Sequence, residues 1–188
     1  MLRLFFALEI PQPVRQKLLR VRAPVPGARW QTDAQLHLTL LFLGNVSAEA
    51  VPDIRRALQR LTQTRFELEV RGLECFGQAA TPRNLWAGVA PEAPLQQLQA
   101  ELKQRLDPLG FDFEKRPFRP HITLARFKQQ RGPVQGLLDE HDQTGFGAVP
   151  VNDCVLLQST QANVEGRQGS IYTVVERFPL ADPPDESA

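Results

Sequence analysis

The sequence predicts an α+β fold with two antiparallel sheets side by side, and two observations predict it. Segments with strand patterning dominate, and the helical segments stand apart from them. In addition, the tetrapeptide His-aliphatic-Thr-Leu occurs twice, as His37-Leu38-Thr39-Leu40 and as His121-Ile122-Thr123-Leu124, 84 residues apart (37 to 121). The chain has three histidines, so two of the three share one context. Each half then reads as motif strand, helix, strand, loop, strand. That looks like a duplicated unit, though its period is too long for a solenoid. A chain of 188 residues fits one domain made of two similar lobes. The expected domain covers 1–180, with motif strands at about 36–44 and 121–128, and the acidic, proline-rich 181–188 is expected to be disordered.

Taken in order, Arg3 to Ile10 reads as a buried strand: short, apolar and bounded by Pro11. Val14, Leu18, Leu19 and Val21 fall at helical spacing between basic residues, so Pro13 to Val21 is an amphipathic helix. A turn at Pro24–Gly27 and a connecting segment, Trp30 to Gln35, lead to the first motif strand, Leu36 to Gly44. Alternation puts His37, Thr39 and Leu41 on one face. Leu36, Leu38, Leu40 and Phe42 share the other face and should point into the core. Ser47 is placed to cap a helix running to about Leu61.

Arg65 to Phe76 alternates apolar and charged residues, as a half-exposed strand does. A loop at 77–82 and a strand at 85–90 follow. Pro94 opens a helix carrying Leu95, Leu98, Leu102 and Leu106, and Gly110 closes it. Phe111 to Phe118 is extended or looping. Pro120 biases Arg119 to extended geometry and suits the start of the second motif strand, His121 to Lys128. A short helix is expected at 134–141. Two strands, 146–158 and 171–180, are joined by a polar, glycine-rich loop from 160 to 170.

Composition narrows the function classes. Net charge is +1, so the chain lacks the global basic field of a non-specific DNA binder. Cys75 and Cys154 form no CxxC motif and read as small buried apolar residues, which asks for no oxidising compartment. The apolar run Leu4–Leu8 is too short for a signal peptide or a membrane span, and the expected location is the cytoplasm.

Two His-x-Thr strands facing each other supply two imidazoles and two hydroxyls around one centre. Free imidazole titrates near neutral pH, and hydroxyls donate to phosphate oxygens. Imidazoles on opposite sides of a phosphorus suit in-line displacement: one takes a proton from water, the other gives one to the leaving alkoxide. No metal is expected, because a catalytic zinc wants three protein ligands and two histidines fall short. Lys115, Arg116, Arg119, Arg126, Lys128 and Arg131 form a local basic rim suited to a polyanion end. Phe5, Trp30, Phe42, Phe118 and Tyr172 are the aromatics available to stack an unpaired base. His141 has no expected role beyond capping a helix C-terminus.

The paired tetrapeptides resemble the HxTx motifs of the two-histidine phosphoesterases. Arg3-Leu4-Phe5-Phe6-Ala7-Leu8-Glu9-Ile10-Pro11 and Arg119-Pro120-His121-Ile122-Thr123-Leu124-Ala125-Arg126 resemble one branch of them, the RNA 2′,3′-cyclic phosphodiesterases, also called 2′-5′ RNA ligases. The resemblance extends to about Leu180. It implies a bilobal, LigT-like fold with helices outside and both motifs lining a central cleft. It implies hydrolysis of RNA 2′,3′-cyclic phosphate ends, tRNA-derived ends among them, to 2′-phosphomonoesters by a monomer needing no cofactor. Reverse 2′-5′ ligation would use the same groups. His37 would be the proton donor and His121 the proton acceptor, with Thr39, Thr123 and Arg126 on the phosphate. Strict alternation turns Arg126 away from His121, and a bulge or strand end after Leu124 would reconcile the two. Two other readings use the same residues: a cyclic phosphodiesterase for a small nucleotide such as ADP-ribose cyclic phosphate, and an RNA-end-binding module without turnover.

Overall fold

The computed structural model describes residues 1–184, in nine strands and four α-helices. In order these are β1 (Leu2–Glu9), α1 (Gln12–Leu19), β2 (Ala28–Trp30), β3 (His37–Val46), α2 (Val51–Ala57), β4 (Phe66–Gln78), β5 (Thr81–Ala90), α3 (Ala93–Leu106), β6 (Ile122–Phe127), α4 (Gln135–Glu140), β7 (Gly145–Val151), β8 (Asp153–Val164) and β9 (Arg167–Pro179). The leucines of α3 lie at helical spacing, and all four are buried. Gly110 ends the turn after α3 with φ +83°, a conformation only glycine adopts at no cost. Ser47 accepts a hydrogen bond from the Glu49 amide, as its capping position predicts. The helix it precedes stops at Ala57 rather than near Leu61. Arg105, from α3, takes the carbonyls of Ala57, Gln59 and Arg60 that a longer helix would have used internally.

The expectation of two sheets is corrected: the strands form one sheet, ordered β7-β4-β5-β6-β3-β1-β8-β9, with β2 also paired to β6. Two groups of four strands meet at the motif strands, and β3 and β6 pair there through one couple, Leu38 with Ile122. Beyond that couple the edge of β6 that faces β3 is taken by β2, so the motif strands splay apart. The lobes also do not coincide with the halves of the sequence. Strand β4 follows the first motif but pairs with β5 and β7, whereas β8 returns to pair with β1.

The expected strand at 146–158 is in fact β7 and β8, on opposite sides of the sheet and broken at Asn152. The expected loop at 160–170 is mostly strand. Glu165 (φ +50°) and Gly166 (φ +80°) make a two-residue hairpin turn of the type whose central residues both need positive φ, and pairing continues up to Val164 with Arg167. The loop at 77–82 likewise shrinks to a tight turn between β4 and β5. Ala181 is docked, not disordered: it bridges to Thr64, and Asp182 pairs with Arg65. Residues 185–188, the rest of the expected tail, lie outside the described residues.

One face of the sheet packs with the helices into the main core, which includes Leu38, Leu40, Ile122 and Leu124. The other face bears the motif histidines and a small apolar cluster of Phe5, Ala7, Val155 and Leu157. Both motif strands carry a bulge at the same place. Leu40 is skipped between the pairs Phe6–Leu41 and Ala7–Thr39, and Leu124 is skipped between Leu85–Ala125 and Trp86–Thr123. The bulge reverses the alternation. Leu41 is buried, and Phe42, expected in the core, stands 60% exposed on the face of His37 and Thr39. In β6 the same reversal buries Ala125 and exposes Arg126. Each bulged carbonyl finds a donor from outside its own ladder: Gln99 Nε2 at 2.9 Å for Leu40, and the Gln31 amide at 2.8 Å for Leu124.

Core and cleft should therefore respond differently to truncation. Leu98→Ala, at a fully buried site, is expected to lower unfolding free energy by about 2–5 kcal/mol in urea titration. Phe42→Ala should cost under about 1 kcal/mol, as surface changes do; a cost matching that of Leu98→Ala would show Phe42 to be core.

Candidate active site

The register of the couple Leu38–Ile122 fixes the site. In an antiparallel pair it sets His37 across from Thr123 and Thr39 across from His121. The four side chains occupy corners of one patch, with imidazole and hydroxyl alternating around it.

Both imidazoles are held alike. His37 Nδ1 lies 2.7 Å from the carbonyl of Gln35, and His121 Nδ1 lies 2.6 Å from the carbonyl of Arg119, two residues back in each case. A carbonyl only accepts, so each Nδ1 carries the proton and each Nε2 is the working nitrogen. Two aromatic rings wall each histidine: Phe5 and Tyr172 beside His37, at centroid distances of 5.2 and 5.0 Å, and Phe76 and Trp86 beside His121, at 5.0 and 5.5 Å. The surroundings of the two Nε2 atoms differ. His37 Nε2 lies 2.9 Å from Thr39 Oγ1, which donates to it when the ring is neutral. His121 lines the adjoining pocket.

Burial pushes the His37 pKa down to about 4, with the charges of Arg126 and His121 pushing the same way against the Gln35 carbonyl. Burial also lowers the His121 pKa, with Arg126 and Arg119 adding to it against the Arg119 carbonyl. Without a bound anion, both rings are neutral at pH 7. An anion seated between them would favour the charged form and so offset the cost of burial.

The pocket has a volume of about 680 Å³. Thr39, His121 and Arg126 line it, whereas His37 sits behind the Thr39 hydroxyl and Thr123 lies outside the lining. Of the expected basic rim, Arg116, Arg119 and Arg126 reach the pocket; Arg83 and Lys103, from β5 and α3, join them. Arg119 also lies over the Phe76 ring at 4.9 Å. Phe5 and Tyr172, candidates for base stacking, instead wall His37. Phe76, Trp86, Arg83 and Gln99 carry no signal in the sequence, because only the β4–β5 hairpin and the packing of α3 bring them to the site. Among the described residues no cluster of three or more His, Cys, Asp or Glu side chains could hold a metal ion. No helix among them is long and apolar enough to cross a membrane.

Solved structures share this fold over almost the whole chain. The chain overlays the Thermus thermophilus protein TT0787 with TM-score 0.77 at 31% identity, covering 96% of this chain and 98% of that one. It overlays E. coli LigT complexed with 3′-AMP with TM-score 0.76 at 27% identity, covering 96% and 99%. The profile of the 2′-5′ RNA ligase superfamily matches residues 10–161, and the chain belongs to that family. The RNA 2′,3′-cyclic phosphodiesterase of Archaeoglobus fulgidus is 32% identical over 161 residues, 84% of this chain and 91% of the relative. That of Thermus thermophilus is 34% identical over 194 aligned positions, 95% and 90%.

The state of His37 is directly measurable. Nitrogen NMR of the free protein should show a neutral ring protonated at Nδ1 at pH 7, titrating near 4. The unfolded chain binds this proton near pH 6.5 and the folded chain only near 4, so stability falls as pH drops through that window. The loss from this residue is on the order of 3 kcal/mol. His37→Gln should flatten that part of the stability profile; an unchanged slope would contradict the assignment.

Proposed function

We propose that the protein hydrolyses the 2′,3′-cyclic phosphate at RNA ends to a 2′-phosphomonoester, by general acid–base catalysis between two histidines. The observation that carries this reading is the matched pair of imidazoles, each fixed by its Nδ1, with Nε2 of His121 facing the pocket and Nε2 of His37 held by the Thr39 hydroxyl, around a patch that also holds two threonines. The named activity of the curated relatives supports it.

In this mechanism the cyclic phosphate takes the patch between His37, Thr39, His121 and Thr123. Its negative charge raises the His37 pKa, and the ring takes up a proton. Protonated Nε2 no longer accepts, so the Thr39 hydroxyl is released to donate to a non-bridging oxygen, and Nε2–H turns to O3′. Thr123 donates to the other oxygen, and Arg126 offsets the developing charge. His121 Nε2 takes a proton from water as its oxygen attacks phosphorus. The P–O3′ bond breaks, and His37 protonates the departing oxygen. Running the steps backwards, with an RNA hydroxyl in place of water, gives a 2′-5′ link. The cations of the pocket would hold the RNA chain that follows the end.

His37→Ala and His121→Ala should each lower kcat by about 10²–10⁴-fold on a cyclic-phosphate oligonucleotide, with turnover persisting in EDTA and the product keeping phosphate on O2′ by NMR. Retained activity in either variant contradicts the reading. The pH profile has a definite sign. Both histidines titrate below 6.5 in the free protein, and the productive form carries one proton between them. Above pH 6.5 that form becomes scarcer, so kcat/KM should fall about tenfold per pH unit. A level profile from pH 7 to 9 would contradict the one-proton requirement.

A further inference from the structure

We infer that Gln35 is a positioning residue for His37: its side-chain amide latches the β8–β9 hairpin over the imidazole and so holds the Tyr172 ring against it. The part played in turnover rests on the proposed two-histidine chemistry; the latch itself does not. Three hydrogen bonds converge on Gln35. Its carbonyl accepts from His37 Nδ1 at 2.7 Å. Its Oε1 accepts from the Thr32 amide at 3.0 Å, which fixes the orientation of the side chain. Its Nε2 donates to the carbonyl of Ser170, in β9, at 3.0 Å. The first bond orients the imidazole, and the third ties down what covers it.

The hairpin is the cover. Strand β8 leaves β1 after the pair Arg3–Ser159, and from Thr160 onward the ladder pairs of β8 are all with β9. Along the sheet, Tyr172 lies opposite Ser159, Ser159 opposite Arg3, and Arg3 opposite Asn45, near the far end of β3 from His37. Yet the Tyr172 ring stands edge-on to His37, with centroids 5.0 Å apart. The sheet therefore coils here, and the hairpin passes back across the cleft face. Two contacts seat it. One is the bond from Gln35 to Ser170; the other is Gly169 against Arg29 of β2, where a Cβ would lie 3.4 Å from the guanidinium. Ser170 and Tyr172 are two residues apart on one face of β9, so a tether at the first holds the second in place.

Cover of this kind acts on the chemistry, because water admitted to the ring favours its charged form. The charged groups around His37 are Arg126 and His121 from β6; Glu9 from β1, which pairs with Arg177 of β9; and Asp33 of the preceding turn, which pairs with Arg15. None of these bonds to the Gln35 side chain, so an uncharged replacement at Gln35 leaves their field in place.

The test follows His37 by nitrogen NMR in wild type, Gln35→Met, Tyr172→Leu and the double variant. Methionine keeps the length of the side chain and loses its hydrogen bonds. Gln35→Met should raise the His37 titration midpoint by about one pH unit, the size of one lost hydrogen bond. Tyr172→Leu should raise it at least as far, and the double variant no further than Tyr172→Leu alone, because Gln35 acts through Tyr172. Backbone amides of 160–171 should exchange about three- to tenfold faster in Gln35→Met. In the wild type the Gln35 side-chain amide protons should exchange slowly, a reading that needs no variant. An unmoved His37 midpoint in Gln35→Met, shifts that add in full in the double variant, or freely exchanging Gln35 amide protons would each overturn the inference. These readings need no substrate, so they are independent of whether the protein hydrolyses cyclic phosphates. On a cyclic-phosphate oligonucleotide, Gln35→Met should lower kcat by about tenfold with KM little changed. A raised midpoint with kcat unchanged would overturn the positioning role.

Discussion

One residue couple governs the site. Leu38 and Ile122 are the residues directly after the two histidines, both fully buried, and they alone pair β3 with β6. That contact fixes the register of the motif strands and so decides which side chains face each other. A slip of either strand by one residue would turn that strand's histidine toward the core. Because the strands separate beyond it, the lobes meet at the motif without closing over it. Helix α3 strengthens the junction. It belongs between β5 and β6, yet its Gln99 and Arg105 bind backbone carbonyls of β3 and of the segment after α2.

The same economy appears in the bulges. Strand alternation alone offers every second residue to the cleft. Skipping Leu40 and Leu124 brings Phe42 and Arg126 onto the face of the histidine and threonine, without moving those two. Each motif strand thus presents three side chains in place of the two that fit on one short stretch: histidine, threonine and a third group, an aromatic ring in β3 and an arginine in β6.

Much of this was legible in the sequence, and the limits have physical causes. The leucine spacing of α3, the strand patterns and the repeated tetrapeptide are local and read directly. The possibility of a bulge after Leu124 could be framed because Arg126 sat on the wrong face for its chemistry. The bulge at Leu40 left no such trace. It depends on Gln99, fifty-nine positions away, and on the packing of Leu41, neither of which alternation can register. The fusion of two sheets into one and the crossing of β4 and β8 between lobes are pairing choices between distant segments. The expected strand at 146–158 failed because Asn152 breaks an apolar run that otherwise reads as continuous. The aromatic walls of His37 and His121 come from four separate strands, β1, β4, β5 and β9. Burial behind those walls favours the neutral form of both rings in the free protein, and in the proposed mechanism the charge needed for proton donation comes with the substrate.

The central claim is a division of labour between like residues, His37 giving a proton to O3′ and His121 taking one from water. The most direct measurement replaces O3′ of the cyclic ester by sulfur, a leaving group that departs without being protonated. The account expects the 3′-thio substrate to restore turnover to His37→Ala and to leave His121→Ala inactive. Restoration of His121→Ala instead, or of neither variant, would contradict it.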